Sequence, residues 1–287
     1  MGAMSKVKVA IVTDSTVNLP VDVIKENNIY VIPQILNWEG KSYLDQIDIT
    51  TEEFYQRLPQ SSDLPKTSQP APGQFTEHFQ KVAEGAESIV AIFVSELLSG
   101  TIQSAHLGAE ALGDYPIEIV DSRSVSLGLG LLVTAAARYA AEGHDYKEVA
   151  AYVRNLAPRL RVMFVVDTLE YLHKGGRIGG AKRLVGSVLS IKPVLHLEDG
   201  KIEPFASIRT KNKAIQHMLD VVLGEMKGKQ NIHAGVIHAR APQDAEYIVE
   251  QVRATVDPVE MFVNELTPVI GANVGPGVVG MGYYVGE

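Results

Sequence analysis

Three short, mostly apolar segments, read as buried strands, constrain this chain most. Val7 to Thr13, Ile89 to Val94 and Ile117 to Val120 each end on small polar residues and lead toward a helical segment. Strands that are apolar along their whole length are buried on both faces, the condition of a parallel sheet with crossover helices. After the second run, Ile102, Ala105, Leu107, Ala109 and Leu112 recur at roughly helical spacing. The order strand, polar turn, helix predicts an open α/β sheet, which gathers its ligands at the carboxyl ends of the strands. Asp14-Ser15, Ser95 to Thr101 and Asp121-Ser122 are therefore expected along one edge.

The remainder of the first half fits around that sheet. Tyr30 to Leu36 reads as one strand, Trp38 to Lys41 as a turn, and Ser42 to Ile47 as its return. Thr50-Thr51-Glu52-Glu53 carries N-cap chemistry for a short helix. A polar loop containing Thr67-Ser68-Gln69-Pro70 then runs to Pro72, and helices are expected over 73–83, 125–142 and 145–157.

The second half changes character. A strand at Leu160–Val166 and a short helix at Thr168–Lys174 lead into the turn Gly175–Gly180 and a helix Ala181–Ser190. Paired strands Pro193–Leu197 and Ile202–Ile208 flank the turn Glu198–Lys201. Helices over 211–227 and 242–255 alternate with strands at 232–238, 259–266 and 278–285. The fold class expected is α/β with two domains: an N-terminal parallel-sheet α/β domain, 4–158, and a C-terminal α+β domain with a mixed sheet, 159–287, with a cleft between them. Met1-Gly2-Ala3 ahead of Met4 reads as an expression scar and is left out of fold reasoning.

Composition narrows function by exclusion. A net charge of −8 argues against nucleic acid as the main partner. With no cysteine there is no disulfide, cysteine–zinc site or thiol nucleophile, and the eight histidines show no metal spacing, so neither metal nor cofactor is assigned. Apolar runs fall short of the roughly 18–20 residues of a membrane span, and no signal peptide is evident, so a cytoplasmic location is expected. A phosphate-binding G-x-x-x-x-G-K-[ST] loop and a G-x-S-x-G elbow are both absent.

Ser99-Gly100-Thr101 lies where a helix begins, so its hydroxyls and free backbone N–H groups suit either capping or an anion. Gly271 to Gly277, with Asn273 inside it, reads as a tight turn whose amide is available to a ligand. Gly175-Gly176-Arg177 reads as a helix C-cap followed by an exposed Arg.

Seven pieces in register resemble the DegV family of bacterial fatty-acid-binding proteins: Val12–Thr16, Thr67–Pro70, Leu98–Thr101, Val120–Ser122, Leu169–Ile178, Arg209-Thr210 and Val274–Gly277. The resemblance implies a long-chain fatty acid such as palmitate, stearate or oleate, its carboxylate bound by Thr67 and Ser99, with Ser68, Gly100, Thr101 and Asn273 around it. It also implies a carrier that is not itself an enzyme. An ATP-dependent fatty acid kinase subunit phosphorylates the bound acid toward phospholipid synthesis, Arg177 and Arg209 face that partner, and transient membrane contact is compatible. The family commonly has a His where this chain has Asn273, which removes a titratable proton from the site. Leu127–Val133, Val162–Val166 and Leu184–Leu189 are candidate tunnel walls. The competing expectation is a phosphotransferase or hydrolase that uses the Ser99 loop on a small anionic substrate.

Overall fold

In the computed structural model, which describes residues 6–184 and 191–286, the first half follows the expected alternation. Its elements are β1 (Ala10–Asp14), α1 (Val21–Glu26), β2 (Ile29–Ile32), β3 (Ile35–Trp38), β4 (Lys41–Leu44), α2 (Thr51–Arg57) and β5 (Lys66–Ser68). They continue as α3 (Pro72–Gly85), β6 (Ile89–Phe93), α4 (Thr101–Ala109), β7 (Ile117–Asp121), α5 (Leu127–Ala141) and α6 (Tyr146–Leu156). Four strands form a parallel sheet in the order β2-β1-β6-β7. Alternate side chains of one strand enter different cores: Ala10 and Val12 pack with Phe75, Phe79 and Ile102, whereas Ile11 joins Leu131, Val149 and Val153. This two-sided burial is why the central strands β1 and β6 carry no polar alternation.

Pro33 corrects the expected strand Tyr30–Leu36. Proline has no N–H for a ladder, so β2 stops at Ile32 and the chain restarts as β3 in a separate antiparallel sheet, order β4-β3-β5. The return strand is also shorter than expected: it ends at Leu44, before Gln46 at φ 63° turns the chain. Within the expected polar loop, Lys66–Ser68 is a strand, with Thr67 opposite Leu36 and Ser68 opposite Ile35. Three residues with so little apolar content carry no periodic signal, and only pairing with β3 makes them a strand.

The second half comprises β8 (Arg161–Val165), α7 (Glu170–Gly175), β9 (Lys192–Glu198), β10 (Lys201–Ile208), α8 (Lys211–Met226) and β11 (Ile232–His238). After these come α9 (Pro242–Thr255), β12 (Glu260–Glu265), α10 (Pro268–Val274) and β13 (Val279–Val285). The mixed sheet runs β10-β9-β8-β13-β11-β12, with β11 and β12 parallel and the other pairs antiparallel. Helices α8 and α9 cover one face through Met218, Leu219, Ile248 and Val252. Helix α5 packs against strands of both large sheets, β1 and β6 on one side and β11 and β13 on the other. That position explains why every residue from Leu127 to Ala137 is buried.

Two further expectations change. The glycine-rich segment 271–277 is not a turn throughout: Pro268–Val274 is a helix whose proline opens its first turn. Of the expected helix Ala181–Ser190, Gly179–Leu184 is a short 3₁₀ segment, and the rest, with most of the candidate wall Leu184–Leu189, lies outside the described residues. Among the described residues no helix is long and apolar enough to cross a membrane.

Candidate functional site

The carboxyl ends of the parallel strands are tied together by Asp14. Its carboxylate accepts the Thr16 and Val94 backbone N–H groups, both at 2.9 Å, locking the end of β1 to the end of β6. Next to it, Ser15 Oγ donates to Asp45 Oδ2 at 2.6 Å, and the Val269 N–H donates to Asp45 Oδ1 at 3.3 Å. Asp45 thereby joins the end of β4 to the start of α10. Burial pushes both carboxyls upward, that of Asp45 to about 7. Asp121 accepts the Arg123 N–H at 2.8 Å and shapes the entry to α5 without lining the cavity.

The hydroxyls of Ser99-Gly100-Thr101 do not cap α4. Gly100 is the N-cap and no side chain bonds the first turn. Instead Ser99 Oγ lies 2.8 Å from Thr101 Oγ1, and the bonded neighbour of Ser99 is a hydroxyl rather than a base. Ser99 borders the cavity, whereas Gly100 and the wholly buried Thr101 stand behind it. The Gln69 amide packs over Gly100, which brings the 67–70 segment against this loop.

Thr67, Ser68 and Asn273 reach the same cavity from β5 and α10. Asn273 Nδ2 donates to Thr67 Oγ1 at 3.2 Å and to Val269 O at 2.8 Å, so both of its amide hydrogens are used. Thr67 accepts a bond from Asn273 and keeps its own hydrogen for a ligand. Asn273 is therefore part of the cavity wall, placed there by α10 rather than by a loose turn. A Cβ on Gly175 would stand 2.6 Å from Asn273 Oδ1, so the end of α7 needs a glycine to approach this closely.

Arg177 takes a different place from the exposed one expected. Gly176, at φ 75°, ends α7 in the left-handed conformation, and the Arg177 N–H donates back to Leu172 O at 3.1 Å. The turn directs a half-buried guanidinium into the cavity wall, where Nη1 donates to Gly175 O at 2.8 Å and Nε to Leu98 O at 3.3 Å. Among the described residues no carboxylate lies within ion-pair distance of it. Desolvation holds its pKa below the ordinary value. Arg209 is exposed at the end of β10 and does not border the cavity. Gln34, which no motif marked, does border it.

The cavity has a polar mouth and an apolar interior. Its volume is about 80 Å³, smaller than the roughly 300–1,000 Å³ typical of small-molecule sites. Val125, Ile202, Ile270 and Val274 form its inner wall and also line a second, almost wholly apolar space. That space runs on past Leu127, Val162, Phe164 and Leu266 between α5 and the mixed sheet, so two of the expected tunnel walls contribute residues. On the outer side, Thr67, Asn273 and Arg177 also border an open groove that carries Lys41, Lys66 and Lys174. Among the described residues no group of His, Asp or Glu is placed to hold a metal.

The family model described as "Uncharacterised protein, DegV family" matches residues 8–286. A DegV domain-containing protein of Clostridium perfringens is 36% identical over 279 residues, 96% of this chain and 98% of the relative. One from Caldanaerobacter subterraneus subsp. tengcongensis is 34% identical over 274 residues, 96% and 98% of the two chains. Among solved structures, that of a fatty-acid-binding DegV family protein from Thermus thermophilus superposes with a TM-score of 0.92 at 33% identity, covering 97% of this chain and 99% of its own. DegV of Bacillus subtilis, described as a fatty acid binding protein, gives 0.91 at 28% identity, covering 98% and 100%.

Proposed function

The chain belongs to the DegV family, and on that premise we propose that it binds one long-chain fatty acid with the carboxylate between Ser99, Thr67 and Arg177 and the tail in the apolar space beyond Ile270. The observation that carries this reading is that the hydroxyl-bearing cavity and a nearly apolar space lie side by side, with four apolar residues lining both. A polar mouth with hydroxyl donors and a cation, opening into an apolar interior, matches an amphiphile with one anionic end. Each buried methylene contributes about 0.8 kcal/mol gross, and each charge-assisted hydrogen bond about 1.5–3 kcal/mol. The tail therefore dominates affinity and the head fixes register.

The finer part of the proposal is that the protein presents its carboxylate to a separate ATP-dependent kinase in the cytoplasm, as a carrier toward phospholipid synthesis. What supports it is the open groove that meets the head group at Thr67, Asn273 and Arg177. Arg209, exposed just after β10, is proposed to serve the partner. The two-domain division at 158/159 belongs to the same proposal, because the strands of the first two sheets precede residue 122 and those of the mixed sheet follow residue 160.

Native mass spectrometry of protein purified from cells tests the binding reading, with a bound fatty acid as the expected result. Apo protein that takes up neither palmitate nor oleate refutes it. For the presentation step, Ser99→Ala with Thr67→Ala is expected to reduce kinase-dependent acyl phosphate formation more than lipid binding; equal loss of both would contradict the division between head and tail.

A further inference from the structure

A carboxylate can only accept hydrogen bonds, so the mouth of the cavity is useful only if the Ser99 hydrogen points into it. Nothing in Ser99 itself fixes that direction. Thr101 Oγ1, which is 0% exposed, lies 2.8 Å from Ser99 Oγ and 2.9 Å from Gln34 Nε2. The amide nitrogen is a donor only, so Thr101 accepts from Gln34. The remaining oxygen within reach of the Thr101 hydrogen is Ser99 Oγ, because these two contacts are its bonded neighbours. Thr101 therefore donates to Ser99, and the Ser99 hydrogen is left for the cavity.

The orientation of the Gln34 amide is itself fixed. Gln34 is 2% exposed, and it is the Nε2 end of its amide that lies against Thr101 Oγ1. The Gln34 backbone N–H donates to Ser15 Oγ at 3.0 Å, which holds the residue at the crossing between β2 and β3.

We propose that Gln34 is a positioning residue of the head-group site: through Thr101 it sets the direction of the Ser99 hydroxyl and so selects a long-chain acid over the corresponding alcohol. The inference rests on the fatty-acid reading above. An alcohol both donates and accepts, so it binds Ser99 in either orientation, whereas a carboxylate requires one.

The test measures displacement of cis-parinaric acid from the delipidated chain by oleate and by oleyl alcohol. Gln34→Met, which keeps the length of the side chain and removes its donors, is expected to weaken oleate about tenfold, equivalent to about 1.4 kcal/mol, and to leave oleyl alcohol within twofold. Thr101→Val, as an independent variant, is expected to give the same shift in ratio, and Thr101→Ser to restore it. Proportional loss of both ligands in both variants would show a purely structural role and overturn the proposal, as would unchanged oleate affinity. A wild-type chain that binds neither ligand would refute the fatty-acid reading and the relay with it; a wild-type chain that binds oleate while the variants keep its acid-to-alcohol ratio refutes the relay alone.

Discussion

Replacing Arg177 with Met separates ligand binding from stability, because among the described residues no carboxylate lies within ion-pair distance of this cation. Its guanidinium is half-buried against the Leu98 and Gly175 carbonyls, and desolvation acts against its charge. A carboxylate about 4 Å away would gain about 4 kcal/mol gross at an effective dielectric of about 20. Partial exposure and competition from the two carbonyls reduce this to the range of a charge-assisted hydrogen bond, about 1.5–3 kcal/mol. The Arg177→Met variant should therefore bind oleate roughly ten- to hundredfold more weakly. The empty protein loses two hydrogen bonds, each about 1 kcal/mol, and is relieved of a desolvated charge. Its melting temperature should then move by no more than about 2–4 °C. At a ligand concentration about 1,000 times the wild-type Kd, binding adds about 4.1 kcal/mol to stability, and a tenfold weaker variant retains about 2.7 kcal/mol. Calorimetric titration with oleate and thermal melts with and without it measure both quantities. Unchanged oleate affinity, or equal weakening toward oleyl alcohol, would refute the assignment of Arg177 to the carboxylate.

Asp45 gives stability a pH dependence of its own. Its carboxyl moves from 3.8 to about 7 in the fold, so between those values the native state holds more protons than the unfolded one, and stability falls as pH rises through that window and levels off above it. Asp45→Asn should remove most of this slope and raise the denaturant midpoint at pH 8; a slope unchanged in the variant would refute the assignment. At the inner end of the cavity, a Cβ on Gly282 would meet Val162 Cγ2 at 3.4 Å and Arg161 O at 3.5 Å, ordinary contact distances. Gly282→Ala should fold normally and shift preference from C18 toward C14 acids in competition assays, and an unaltered order of chain lengths would place the tail elsewhere.

Long, strongly patterned elements were legible in the sequence. β1 and β6 declared themselves because two cores demand apolar residues on both faces, as Ile11 and Val12 show by packing on opposite sides. Thr67, Ser99 and Asn273 were legible only as motifs, since nothing in their spacing says that β5, the start of α4 and α10 meet. The strand at Lys66–Ser68 and the helix at Pro268–Val274 exist through pairing and packing: Thr67 has Leu36 as its partner, and the Val269 N–H has Asp45. Arg177 was misplaced because a Schellman-type turn sets the direction of the next side chain by backbone geometry, and Gly176 alone does not reveal which way it faces. The one available signal for Gln34 was Pro33, which forces the chain out of one sheet and into another at that point.

The two hydroxyls of the mouth share one design. Thr67 receives an amide hydrogen from Asn273 directly, and Ser99 receives a hydroxyl hydrogen from Thr101, which is itself fixed by the Gln34 amide. In each arm a neutral carboxamide that cannot titrate near neutral pH points a hydroxyl hydrogen inward. The charged group lining the cavity itself among the described residues is Arg177, and an arginine stays protonated throughout the same range. A histidine in the place of Asn273 would tie head-group binding to its own protonation, whereas this arrangement does not. Proton-dependent behaviour is displaced to Asp45, which anchors the N-terminal end of α10 while Asn273 sits in its last turn. Stability thus responds to pH through Asp45 at the start of this short helix, whereas the Asn273 amide in its last turn does not titrate, so a pH-sensitive fold is compatible with pH-insensitive recognition of an acid.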